Sequence, residues 1–286
     1  MILSLVASFL FSDILPEGRE KFVIYYNDFE EGGKARINPL GIEEIFSPDS
    51  LANGLFGKGY LCSEGKSFVL RSTQISPHRS LTISIWWALK EEHKPGAGFI
   101  IFSLNGKGFI SCFVRGGDGD TWCALTKPAG VFQVYYFPGI QNINGIYDFD
   151  IMKTLDLRGG IWHNTIVTFS CGREVNVYQD GRRVGRWILT RCLREDDGIN
   201  SLTLAPYGEA MFFDEVLIMR GVLGEDEVRE YYLKLKGLRD IVGDWGNLAK
   251  VERRSNLVRH CHIKLDRSVI KDISICHFLN LSVLFT

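Results

Sequence analysis

A chain of 286 residues that is 45% hydrophobic and 12% aromatic can enclose one large core with a tail, or two small cores. Lys plus Arg number 33 against 34 Asp plus Glu, a formal net charge of -1, which argues against the basic excess of a general nucleic-acid binder. The seven cysteines are scattered, show no Cys-x-x-Cys spacing and read as ordinary buried thiols, with one or two disulfide bridges as the alternative, while 30 glycines suit tight turns between short strands.

In chain order, Met1 to Ser12 is apolar and lacks the Lys or Arg that precedes a secretory signal. It reads as an edge strand, with a signal segment cleaved near Ser8 or Ser12 as the alternative. It is too short to span a bilayer. Residues 13–20 form a turn-rich connector. Phe22-Val23-Ile24-Tyr25-Tyr26 reads as a strand ended by Glu30-Glu31-Gly32-Gly33. Gly54 to Leu61 leads into another strand, and Phe68-Val69-Leu70 is a short one.

Leu81 to Leu89 carries the clearest period of two. Leu81, Ile83, Ile85, Trp87 and Leu89 share one face; Thr82, Ser84, Trp86 and Ala88 share the other. Trp86 is a candidate for a concave binding face, with packing beneath a loop as the plainer reading. Phe99 to Leu104 and Phe109 to Arg115 flank Asn105-Gly106, a hairpin signal because both residues tolerate positive φ. Residues 115–122 form a loop by composition, Val131 to Phe137 a strand, and Pro138 to Asp150 a longer polar and aromatic loop. Trp162 to Phe169 and Val175 to Tyr178 are strands joined at Cys171-Gly172, and Asp180-Gly181 makes the next tight turn. Leu202 to Leu204 and Met211 to Met219 are the last strands. Glu225, Asp226 and Glu227 then open a helix whose face is Val228, Tyr231, Tyr232 and Leu235.

Three strings in this order resemble a known family. Thr82-Ile83-Ser84-Ile85-Trp86 is similar to a Thr-x-Ser-x-Trp central strand. Trp162-His163 followed by Val175-x-x-Tyr178-x-Asp180-Gly181 is similar to a Trp-His strand with its return. Phe212 to Ile218 resembles Phe-x-Asp-Glu-Val-x-Ile before an acidic helix. Together they resemble the laminin-G-like, or concanavalin A-like, lectin and glucanase superfamily. The resemblance implies an all-β fold: a two-sheet antiparallel jelly-roll sandwich with a short C-terminal helix and an appended tail. The implied divisions are an N-terminal segment 1–20, a sandwich 21–236 and an appendage 237–286. It does not by itself imply a function, because one fold carries many.

For chemistry, no strand has the Glu-x-Asp-x-x-Glu spacing that lets two carboxylates share a face as acid and nucleophile. Glu30-Glu31, Glu43-Glu44 and Asp214-Glu215 are adjacent and would point to opposite faces if extended. His163 has no visible base partner and reads as a satisfied core or edge histidine. Asp118 and Asp120 alternate around Gly119 and are the candidate calcium ligands, an expectation the family resemblance supports. Trp122 beside them, with Asn142, Asn144, Tyr147 and Asp148 in the longer loop, fits sugar recognition: rings cover C–H faces and amides or carboxylates bond hydroxyls. His260, Cys261, His262, Cys276 and His277 offer zinc-type ligands at a spacing that matches no common finger.

The reading is a noncatalytic carbohydrate-binding or adhesion module with a glycan or surface protein as partner, no membrane span, and an extracellular, cell-surface or virion-associated setting. A structural domain of such an assembly, open to oligomer formation, and a glycoside hydrolase with dispersed carboxylates are the alternatives.

Overall fold

The computed structural model describes residues 14–63, 65–92, 98–106, 109–115, 132–135, 145–148, 156–189, 191–206 and 210–254. The segment Met1 to Ser12 and the cluster His260, Cys261, His262, Cys276 and His277 lie outside them. Fifteen strands and one long helix are present among the described residues. In chain order the strands are β1 (Val23–Asn27), β2 (Glu43–Ile45), β3 (Leu51–Asn53), β4 (Lys58–Cys62), β5 (Phe68–Arg71), β6 (Leu81–Leu89), β7 (Gly98–Asn105) and β8 (Phe109–Arg115). They continue with β9 (Phe132–Tyr135), β10 (Gly145–Asp148), β11 (Trp162–Ser170), β12 (Glu174–Gln179), β13 (Arg182–Leu189), β14 (Ser201–Leu204) and β15 (Met211–Arg220), then α1 (Glu225–Arg254).

Two antiparallel sheets form the sandwich. The nine-stranded sheet runs β10-β13-β12-β11-β6-β15-β4-β3, with β1 also on β15; the six-stranded sheet runs β2-β5-β14-β7-β8-β9. β15 pairs with β6 along one edge. Its other edge is shared end to end: Met211 to Phe213 pair with β4, and Val216 to Met219 pair with β1.

The period of two in β6 decides both faces of the larger sheet. Leu81, Ile83, Ile85, Trp87 and Leu89 enter the core between the sheets, with Phe68, Leu70, Phe99, Ile101 and Leu202 opposite. The other face is not solvated, and all nine β6 residues are buried. Trp86 lies there with Ile166, Tyr178, Leu217 and Met219, covered by Val228, Tyr231 and Leu235 of α1. The small polar residues that β6 gives this second face are bonded within it. Thr82 Oγ1 donates to Gly221 O at 2.9 Å and accepts from Leu223 N at 3.2 Å; Ser84 Oγ accepts from Asn164 Nδ2 at 3.1 Å. Burial of the three apolar α1 side chains contributes on the order of 5–9 kcal/mol. Arg19 adds a bidentate pair to Glu227, Nε to Oε1 at 2.6 Å and Nη2 to Oε2 at 2.8 Å.

The helix does not stop near residue 236. It runs through Gly237 to Arg254, because Gly237 meets no neighbouring group and costs only about 1 kcal/mol in a helix interior. The chain divides into compact units after Asp240, and the docking described above belongs to the first.

Both turns expected from Cys171-Gly172 and Asp180-Gly181 form with positive φ at each residue, 47° and 61°, then 49° and 74°. Gly106 serves differently. A Cβ there would run into the carbonyl of Gly198, so close backbone approach demands the glycine. Residues 145–148, expected within a loop, form β10 on the edge of β13. Of the cysteines, Cys62 is buried and free, and burial pushes its thiol up to about 12; Cys171 and Cys192 are exposed and free. Cys112 is disulfide-bonded.

Candidate functional site

Strand register fixes which connections share an end of the sandwich. In the smaller sheet, Arg71 lies opposite Ser201, Ser201 opposite Asn105, Asn105 opposite Phe109, and Phe109 opposite Tyr135. Gln74, three residues beyond Arg71, accepts from Arg220 Nη2 at 2.6 Å, so Arg220, Leu81 and Phe169 of the larger sheet lie at this same end. Gly145 enters β10 here, opposite Leu189. The opposite end carries Gly98, Arg115 and Leu204 of the smaller sheet and Leu89, Trp162 and Gln179 of the larger.

Asp118, Asp120, Trp122, Asn142 and Asn144 lie outside the described residues, but their anchoring strands are described. Residues 116–131 run between Arg115 and Phe132, whose partners Gly98 and Cys112 place both anchors toward the Trp162 end. Residues 136–144 run between Tyr135 and Gly145, both at the Leu81 end. The sequence cannot show this, because the chain changes sheets between β9 and β10. Tyr147 and Asp148 lie on β10, in register with Trp187 and Arg186.

At the Trp162 end the described residues form a polar rim on an aromatic floor. Gly160 N donates to Leu89 O at 2.8 Å, tying residues 156–161 to the end of β6. A Cβ at Gly159 would press on Lys90 O and Glu91, so the close approach needs glycine. His163 fastens this layer from below: Nδ1 lies 3.0 Å from Asp180 Oδ2 and Nε2 lies 2.9 Å from Asp156 O. Its ring stands 5.1 Å from that of Trp87, which stands 5.6 Å from Phe99. Burial lowers the His163 pKa, but the bond to Asp180 and its charge outweigh this, so the net shift is upward. Both ring nitrogens are engaged, so this histidine positions the rim and has no free nitrogen for proton transfer. Beneath it, Trp87 Nε1 donates to Thr165 Oγ1 at 2.8 Å, and Thr165 Oγ1 donates to Gln179 Oε1 at 2.7 Å.

The exposed rim above carries Lys90, Glu91, Glu92, Asp156 and Arg158. Arg158 pairs with Asp156, and its hydrogen bonds hold that carboxyl down at about 2. This is a mixed-charge, solvent-facing edge suited to bonding a polar ligand.

A second polar cluster was not legible as such. The adjacent acids Asp214 and Glu215 sit at a bulge in β15, where the register shifts before Leu217 and Glu215 takes φ +50°. Asp214 Oδ2 accepts from Leu55 N at 2.7 Å and Phe56 N at 3.3 Å; its Oδ1 accepts from Glu215 N at 2.9 Å. Glu215 Oε2 accepts from Tyr26 Oη at 2.5 Å. Asp28 is ion-paired with Arg36 at 2.7 Å, and Glu30 Oε1 accepts from Lys58 N at 2.5 Å. Burial raises the Asp214 pKa, and the charge of Glu215 adds to this against the backbone donors. Burial pushes Glu215 up to about 8; the Tyr26 bond opposes this, and the Asp28 charge reinforces it. Asp28, Asp214 and Glu215 are buried and Glu30 is half-buried, and all four are bonded to the fold, not paired across a groove.

Trp86 is not a platform. It is fully buried, and its ring stacks on Tyr232 of α1 at 5.6 Å and 10°. Glu44 is likewise structural, accepting from Tyr25 Oη at 2.7 Å and Ala35 N at 2.9 Å. Among the described residues no group of three or more His, Cys, Asp or Glu is arranged to hold a metal ion. No helix among them is long and apolar enough to cross a membrane.

No protein-family model matches the chain, and no curated protein matches it. Solved structures do. The binding domain of botulinum neurotoxin DC in complex with SialylT is similar at TM-score 0.54 and 10% identity, over 76% of this chain and 52% of that one. The same domain in complex with rat synaptotagmin II gives 0.53 and 12%, over 76% and 52%. The binding domain of Paraclostridial Mosquitocidal Protein 1 gives 0.51 and 14%, over 74% and 52%. The chain thus spans about half the length of the structures it resembles. At such identities the likeness is one of fold: this chain is a two-sheet antiparallel β-sandwich of the kind found within those binding domains.

Proposed function

We propose that the chain is a noncatalytic recognition module, a concanavalin A-like sandwich that binds a glycan through its rim connections. The observation that carries this reading is how the polar groups are used. His163, Asp214 and Glu215, the side chains best suited to acid–base work, are spent on internal bonds, while mixed charge lies at the Trp162 end, toward which the anchors Arg115 and Phe132 of the 116–131 connection are placed. That end offers Asp156, Arg158 and Glu91 for bonding ligand hydroxyls, and Trp122 supplies the ring a sugar would stack on. Asp118 and Asp120 supply oxygens for calcium in the same connection. Asn142, Asn144, Tyr147 and Asp148 extend recognition to other surfaces of the sandwich. One of the similar binding domains, that of botulinum neurotoxin DC, was solved both with SialylT and with a protein, rat synaptotagmin II, which supports binding as the role of this architecture.

The test is a glycan array with purified protein, run with calcium and with a chelator, beside Trp122→Ala and Asp118→Ala/Asp120→Ala variants. Specific binding lost in Trp122→Ala supports the sugar platform, and loss on chelation and in the double variant supports calcium. A blank array with unchanged thermal stability under chelation overturns both and favours a protein partner.

A further inference from the structure

The acid cluster at the β15 bulge has a charge imbalance that the fold itself must resolve. Four carboxyl groups meet there: Asp214 and Glu215 from β15, Asp28 just after β1, and Glu30 from the connection that follows. The guanidinium of Arg36 faces them. The remaining groups packed around Glu215 are the phenols of Tyr26 on β1 and Tyr231 on α1, both of which burial holds neutral by raising their pKa. Asp214 spends its oxygens on backbone donors of the 55–56 turn and on Glu215 N. Glu215 has one neutral partner, Tyr26 Oη, and is only 5% exposed. Like charges so close in a low-dielectric site do not all ionise without large cost.

The location gives this consequence. The bulge is where the edge of β15 passes from β4 to β1, and among the described strands β1 pairs with β15. Beyond the ladder, β1 is held by Tyr26 on Glu215, by reciprocal backbone bonds between Tyr26 and Ile37 at 2.9 and 3.2 Å, by Tyr25 Oη on Glu44 at 2.7 Å and by Asn27 Nδ2 on Gly33 O at 2.8 Å.

We infer that the Asp214–Glu215 bulge is a proton-sensitive latch: a neutral Glu215 seats β1 and the segment through Ile37, and its ionisation loosens them. The sign follows from linkage. The folded state keeps a proton on Glu215 that the unfolded chain releases in the ordinary carboxylate range, so stability is fullest at low pH and declines as pH rises toward about 8; Asp214, also raised by burial, adds a decline of the same sign. One proton changes the opening equilibrium about tenfold per pH unit. His163, whose pKa is also raised, contributes a decline of the same sign from β11, two strands away in the same sheet, so the latch must be read locally in residues 23–37.

The experiment is hydrogen exchange by mass spectrometry on the whole chain between about pH 6 and 9, corrected for intrinsic rates, in wild type, Glu215→Gln and Tyr26→Phe. In wild type, opening of residues 23–37 should rise up to about a hundredfold, while the β5–β14 ladder of the smaller sheet changes much less. Glu215→Gln should flatten the rise. Tyr26→Phe, which removes a bond favouring the ionised form, should move the midpoint to higher pH, and it tests the latch even if Glu215→Gln fails to fold. An unchanged rise in a folded Glu215→Gln, or an unmoved midpoint in Tyr26→Phe, overturns the inference. So does calcium restoring alkaline protection, since a cation and not a proton would then balance the charge. This inference stands independently of glycan binding.

Discussion

Removing the Tyr231 side chain tests whether α1 is part of the fold or an attachment to it. Tyr231 is 1% exposed and sits between Val228 and Leu235 on the outer face of the larger sheet, while Leu233, two residues on, is 51% exposed. Tyr231→Ala deletes a buried aromatic ring and should cost about 3–5 kcal/mol, part transfer free energy and part cavity. Leu233→Ala removes a solvated side chain from a helix that favours Ala, and should cost less than about 0.5 kcal/mol. Against a typical stability of about 5–15 kcal/mol, the first is a large fraction of the total and the second is not measurable in function. In a sandwich of this size, where 1 kcal/mol moves Tm by about 2–4 °C, the variants should differ by roughly 10 °C. Denaturant melts followed by tryptophan fluorescence report the event directly, because Tyr232 stacks on Trp86. If the two variants melt within about 1 kcal/mol of each other, helix docking as described is wrong.

Other expectations follow from single contacts. Asp214→Ala should cost about 3 kcal/mol in chemical denaturation, because it strips acceptors from three backbone donors, with Asp214→Asn intermediate. Gly181→Ala should lower Tm by several degrees: its φ is +74° and a Cβ would approach the Tyr232 ring to 2.6 Å, straining the turn and the helix together. In Asp180→Asn, the stability that wild type loses as pH rises through the raised His163 pKa should largely vanish, seen as a flatter Tm profile between about pH 6 and 8. Glu227→Gln should cost no more than about 1 kcal/mol, since the Arg19 pair is nearly a third exposed, and high salt should shrink the difference.

Where alternation, turn chemistry and capping spoke together, the fold could be read from residues alone. Leu81 to Leu89 alternates over nine positions, and a one-residue slip would turn five large apolar side chains out of the core. Asp180-Gly181 pairs a residue tolerant of positive φ with glycine, Cys171 turns to positive φ beside Gly172, and the hairpins close at both places. The failures have tertiary causes. Period two puts Trp86 on the second face but cannot say that a helix packed over 140 residues later will bury it. The β15 bulge carries no glycine to announce it, so Asp214 and Glu215 read as an extended pair, although Glu215 turns to positive φ and both acids go inside. Tyr147 joins a strand because the edge of β13 is there to receive it, a fact held by Trp187 and not by its own neighbours.

The shared edge of β15 also bears on how the chain is made. This strand lies between β6 on one side and β4 and β1 on the other, so strands made early in the sandwich wait for one made long after them. Until Met219 has emerged, the flank of β6 and the whole of β1 have no ladder to join, and the hydrophobic faces of both are open to other chains. Such long closures slow the search, since the entropy of a large loop is lost before its contacts form. Nascent chains halted before residue 211 should therefore be captured by holdase chaperones and cut readily by protease in β1, while chains released beyond α1 should resist both.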